Sequence, residues 1–245
     1  MYSYLSLFVF SLLLYSNIIA SRDANYTQNY FEHHEEFLDY PEIEFNYDWR
    51  SYVMDFFGSW FFDASVTEDL TNQLNSQLPR FIAAWRKDAP VFFRELVITF
   101  QKGIKARNRN AIINLSHGSS YGSQWFLVFG LRWFLDPEPW GASVSKEDAF
   151  SSLVFHELLH VWVDDNIRKD KSEYLEKYKN EDSLVLDHLH LMAIQKMIYL
   201  KINRQDLLNF IDESYRSNQG PFYKRAWEIV NDVEGYESIL ADVVF

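Results

Sequence analysis

Residues 145–167 limit the folds open to this chain more than any other segment: an apolar run that carries two histidines and a glutamate in its interior. Ser145-Lys146-Glu147-Asp148 has a Ser followed three residues later by an acid, close to a capping box, so a helix starts there. Apolar residues then recur at Ala149, Phe150, Leu153, Val154, Leu158, Leu159, Val161 and Trp162. The pattern predicts a mostly buried helix of about 18 residues, long enough to be a core element. Inside it stands His156-Glu157-Leu158-Leu159-His160. Histidines four apart share a helix face, one turn from each other, and both imidazoles can reach one metal ion. Glu157 can then lie near a metal-activated water. Unpaired in a buried helix, these polar groups would cost several kcal/mol. A metal would satisfy them; the competing account is a set of core hydrogen bonds.

The segments around this helix set its context. Ser65-Val66-Thr67-Glu68 is a capping box opening a helix to about Lys87, where Asp88-Ala89-Pro90 stops it. Three strand-like stretches follow at 95–100, 111–115 and 124–135, rich in β-branched and aromatic residues. A turn at Asp136-Pro137-Glu138-Pro139 precedes the motif helix. After Ile167 the chain reads helical throughout, with a long segment at 181–202 and shorter ones between 205 and 243. Asn25-Tyr26-Thr27 and Asn114-Leu115-Ser116 are glycosylation sequons, meaningful only in a eukaryotic source.

The helical His156-Glu157-x-x-His160 pattern resembles the zincin metallopeptidases, and helix, sheet, then motif helix is the order of their N-terminal half. The resemblance implies an α+β fold: a small mixed sheet packed on the motif helix, with a mostly helical C-terminal half. It implies a Zn2+ cofactor and a peptide or protein substrate. Hydrolysis would proceed through a metal-activated water with Glu157 as general base. The alternatives are a noncatalytic exported protein of the same fold and a zinc hydrolase of a non-peptide substrate.

A catalytic zinc takes three protein ligands and keeps one position open. The third should lie downstream, among Glu173, Glu176, Glu181, His188 and His190. In the gluzincin branch a Glu about twenty residues past the second His completes the site, and Glu181 falls near that spacing. A helical wheel over 181–202 favours His188 instead. His188 falls between Leu184, Leu191, Met192 and Tyr199 on an apolar side, whereas His190 falls with Asp187 and Lys201 on the most polar one. Asp164, one turn after His160, is either a partner for that ring's second nitrogen or part of an exposed helix end. Tyr223 and His117 are candidate oxyanion donors, each with a structural role as its rival. The stretch 124–130 is a candidate for holding extended substrate by strand addition.

Composition bounds the rest. The 245 residues are 48% hydrophobic, which suits one domain with a sizeable core. A net charge of −12 disfavours nucleic acid and anionic membranes as partners. There is no cysteine, which excludes thiolate ligands and cysteine catalysis. Residues 1–20 resemble a signal peptide, with an apolar run from Leu5 to Tyr15 and Ala20 before the expected cut at Ser21. The lack of Lys or Arg before that run makes an uncleaved N-terminal membrane anchor the rival; no other segment could span a membrane. The expectation is export, secreted or periplasmic. Residues 21–46 read as a mobile acidic leader, in which His33 and His34 belong to solvated chain rather than to a metal site. Residues 47–245 read as a single zincin-like catalytic domain, opening on an aromatic-dense stretch, 47–62, of part helix and part packed loop.

Overall fold

Two prolines do not stop the first long helix. In the computed structural model, which describes residues 41–48, 50, 51, 55, 66–104, 108–115, 120–122, 127–135, 143–218 and 220–243, helix α1 runs Glu68–Phe100 with Pro79 and Pro90 inside it. It starts at an N-cap on Thr67, two residues past the expected one, whose hydroxyl accepts from the Leu70 N–H at 3.3 Å. The expected stop at Asp88-Ala89-Pro90 does not occur, and 95–100 is helix rather than strand. Burial shows why. Phe92, Phe93, Leu96 and Phe100 are buried while Ile98 is 56% exposed, a helical period and not an alternating one. An interior proline costs roughly 3 kcal/mol. Burying four such side chains returns about 1.5–3 kcal/mol each. The apolar face therefore outweighs the breaker and the β-branched run Val97-Ile98-Thr99.

That face positions the motif helix. Helix α2 is a short turn, Arg132–Leu135; helix α3, Lys146–Asn166, carries the histidines. Its N-cap is Ser145, accepting from the Asp148 N–H at 3.0 Å, as the sequence predicts. Ring centroids of Phe92 and Phe155 lie 4.8 Å apart, and those of Phe100 and Trp162 5.1 Å apart, so α1 and α3 interlock through aromatic pairs.

The fold is α+β, with a small mixed sheet of four strands: β1 Glu42–Asn46, β2 Asn108–Asn114, β3 Tyr121–Gly122 and β4 Leu127–Gly130. Their order is β1-β2-β4-β3. The first two pairings are parallel, with Phe45 opposite Ala111 and Ile113 opposite Phe129. β3 runs antiparallel to β4, with Gly122 opposite Leu127. Phe45 and Phe129 both pack on Phe150 of α3, at 5.5 and 6.0 Å between centroids. β1 corrects the leader boundary: 42–46 belongs to the sheet. Ile43 and Phe45 alternate with Glu42 and Glu44, a half-buried strand pattern masked by the acidic composition. The expected strand 124–135 is strand only over 127–130 and helix over 132–135. Asn114 is 2% exposed in β2, which closes that sequon to a glycan in the folded chain.

β3 lies directly on the motif helix. A Cβ added to Gly122 would sit 2.1 Å from the Glu157 carbonyl oxygen. The obstacle is backbone, so no side chain can swing away. Gly122→Ala is expected to lower stability by about 3 kcal/mol or more, read as a shift in the urea midpoint; a parent-like midpoint would show that β3 does not press on α3.

The C-terminal half is helical. Short α4, Glu173–Lys177, leads to α5, Ser183–Lys201. Then come α6, Gln205–Glu213, a π-helical turn over Ser214–Asn218, and α7, Pro221–Glu228. A second π turn over Ile229–Val233 and α8, Tyr236–Leu240, follow. Among the described residues no helix is long and apolar enough to cross a membrane. The expected signal peptide, the expected leader up to residue 40, His33, His34 and His117 lie outside the described residues, as does most of 47–62, of which residues 50, 51 and 55 are helical.

Candidate metal centre

Three histidines from two helices meet on one side of α3. One ring nitrogen from each of His156, His160 and His188 lies within 4.8 Å of the other two. Ring centroids are 5.2 Å apart for His156 and His160, 5.4 Å for His156 and His188, and 4.8 Å for His160 and His188. The first pair follows from one turn of α3. The third ring enters from α5, on the face that the wheel placed inward.

Hydrogen bonds decide which nitrogens face the centre. His188 Nδ1 donates to the Leu184 carbonyl at 2.6 Å, one turn back on α5. Its Nε2 is buried and has no hydrogen-bond partner. His156 Nδ1 contacts the Tyr215 hydroxyl at 2.9 Å and Gln195 Oε1 at 3.3 Å, which leaves its Nε2 for the centre. Tyr215 donates to Gln195 Oε1 at 2.9 Å, so His156 Nδ1–H must be the donor to Tyr215.

The donor set fits a zinc ion. Three imidazole nitrogens, each within 4.8 Å of the others, are a donor set of the kind that holds a catalytic zinc and leaves one position open. Metal-binding histidine must be neutral. Burial first, then the neighbouring rings, holds His156 well below its ordinary value. Burial, His188 and Lys169 push His160 down to about 3, and burial lowers His188. All three rings are therefore neutral imidazoles at neutral pH.

Glu157 is the second orphan of the site. It is 3% exposed, and its Oε2 has no hydrogen-bond partner. Burial pushes its carboxyl up to about 8, against the opposing effect of the Gly122 backbone N–H. The two shifts act on metal-free stability in opposite directions. A raised acid pKa gives stability that is complete below about 4.5 and is lost as pH rises through about 8. Depressed histidines give stability that is complete above about 6.5 and is lost as pH falls. The metal-free chain should be most stable near pH 6.5. Glu157→Gln should abolish the alkaline fall, gaining on the parent by about 1.4 kcal/mol per pH unit up to about 8. Denaturation midpoints of chelator-treated parent and variant between pH 5 and 9 measure this; parallel profiles would contradict it.

Tyr223 of α7 closes the other side, its ring 4.5 Å from His188 and 6.3 Å from His156, centroid to centroid. Burial, then the charge of Glu157, pushes its hydroxyl up to about 12, so it stays a proton donor.

The other candidates are engaged elsewhere. Glu181 precedes α5 and binds Arg225 at 2.7 Å. His190, two residues past His188, points to the opposite face of α5 and meets Asp242 at 3.3 Å and Ser172 at 3.4 Å. Asp164 pairs with Lys169 at 2.9 Å, in keeping with the exposed-helix-end alternative. Glu173 is exposed, and exposed Glu176 pairs with Lys179. Sequence reading missed Tyr215, Gln195 and Gly122. Gln195 had a legible signal: it stands seven residues past His188, on the same face of an apolar helix. Tyr215 had none, since it reaches the site from a π turn. Comparison with family models, with curated proteins and with solved structures finds no match.

Proposed function

We propose that this chain is a zinc-dependent peptidase of zincin type that hydrolyses peptide bonds. The observation that supports the reading is the convergence of His156, His160 and His188 beside a buried, unpartnered Glu157 carboxylate oxygen. His156, His160 and His188 would hold the metal, which supplies Lewis acidity there, lowering the pKa of a water toward neutrality and polarising the scissile carbonyl. Glu157 takes the proton of that water and passes it to the leaving amine. Burial raises its pKa from the ordinary carboxylate value toward neutrality, so its protonated form can return the proton to the leaving amine. The Tyr223 hydroxyl, protonated and beside His188, donates to the developing oxyanion. Strand addition of extended substrate at 124–130 is not carried forward, because among the described residues β4 lies between β2 and β3.

The test is a digest of a peptide library by chain reconstituted with one equivalent of zinc. Cleavage should stop on chelation and return on adding zinc. An intact library with zinc bound stoichiometrically would favour a non-peptide substrate or a noncatalytic role.

A further inference from the structure

We propose that Tyr215 is a positioning residue, held in a buried relay of hydrogen bonds, that fixes His156 as the tautomer presenting Nε2 to the metal. The inference rests on the metal-site reading above. The relay begins and ends on the motif helix. His156 Nδ1–H donates to the Tyr215 hydroxyl at 2.9 Å. Tyr215 donates to Gln195 Oε1 at 2.9 Å, Gln195 Nε2 donates to the Tyr199 hydroxyl at 3.2 Å, and Tyr199 donates to Ser152 Oγ at 2.8 Å. Ser152 stands one turn before His156 on α3. Every member is at most 6% exposed.

The Tyr215 and Tyr199 hydroxyls and the Gln195 amide each accept from one neighbour and donate to the next, so the polarity of the relay is defined by its own chemistry. Reversing His156 would aim its unprotonated Nδ1 at a tyrosine oxygen whose proton is already given to Gln195. Because α3, α5 and the π turn each contribute a member, the ring orientation of His156 is set by the packing of three elements. The π turn that projects Tyr215 also leads into α7, and the Tyr215 and Tyr223 rings stack at 6.1 Å with 13° between planes. One loop therefore orients a metal ligand and the oxyanion donor together.

The experiment titrates full-length chain with Zn2+ against a competing chelator and records 15N shifts of His156 in the zinc-loaded state. Partners that orient a ligating histidine are worth about 10–100-fold in metal affinity. Tyr215→Phe should weaken zinc by that factor beyond whatever the lost hydroxyl costs the metal-free fold, which its melting temperature reads in parallel. Tyr199→Phe, two bonds further out, should cost less. The parent should show His156 bound through Nε2 with a protonated Nδ1. Binding through Nδ1, or unchanged affinity in Tyr215→Phe, overturns the proposal and leaves the zinc site standing. A Tyr215→Phe chain that fails to fold leaves the parent's tautomer to decide. A parent that binds no zinc sinks this proposal and the metal-site reading together.

Discussion

Replacing His156, His160 or His188 by alanine is expected to weaken zinc by about a hundredfold or more and to abolish one-to-one binding at micromolar metal. A protein zinc site of this kind is worth on the order of 10 kcal/mol. Divided among three ligands, that is about 3 kcal/mol each, and every 1.4 kcal/mol is tenfold. Geometry adds to the loss, since two imidazoles on one turn of α3 define a line and only the α5 ring closes the triangle. Glu181→Ala and His190→Ala serve as contrasts. Arg225 holds the first, and Asp242 with Ser172 holds the second on the far face of α5. Both should keep the parent's stoichiometry. Elemental analysis of each purified variant, with circular dichroism to check folding, decides the matter. If the Glu181 variant loses zinc and the His188 variant keeps it, the ligand set proposed here is wrong.

The readable part of this molecule was the part written in local periodicity. The cap at Ser145, the apolar run behind it and the His-x-x-x-His spacing depend on contacts within one helix, and the structure has all three. His188 was readable for the same reason, because its neighbours on the wheel belong to its own helix. What failed was decided by distant contacts. Residues 95–100 combine β-branched composition with a helical burial period, and only the aromatic face of α3 settles which wins. Pro90 is tolerated on the same ground. β1 was lost to its own charge: Glu42 and Glu44 made a strand look like linker. Helix spacing left Asp164 between two roles, and Lys169, beyond the helix end, takes its carboxylate.

The relay around His156 lies outside what spacing can show. It joins residues 152, 156, 195, 199 and 215, and its formation needs the relative placement of three elements. Within each helix, though, the pairs are one turn apart: Ser152 with His156, Gln195 with Tyr199. A buried Gln in the run Leu191 to Leu200 announces an unsatisfied polar group. The missing information is which partner comes from across the interface.

Glu157→Gln is expected to lower peptide turnover by about 10²–10⁴-fold while zinc stoichiometry stays at that of the parent. The amide has the shape of the carboxyl but cannot take a proton from water. Glu157 is not among the converging ligands, so the metal should stay. The same substitution should stabilise the metal-free chain above pH 7, because it removes a buried acid whose pKa stands near 8. The two effects have opposite signs and one cause. A carboxylate oxygen buried without a partner is costly to the fold, and it is useful where a proton must be moved near neutrality. A structural glutamate would behave differently, since its loss would leave turnover intact or bring instability. Turnover near the parent rate in a zinc-loaded variant would remove Glu157 as the base. Loss of turnover together with loss of zinc would assign it to the ligand set instead. Only lost turnover with retained metal and raised alkaline stability matches a general base held in a dry site.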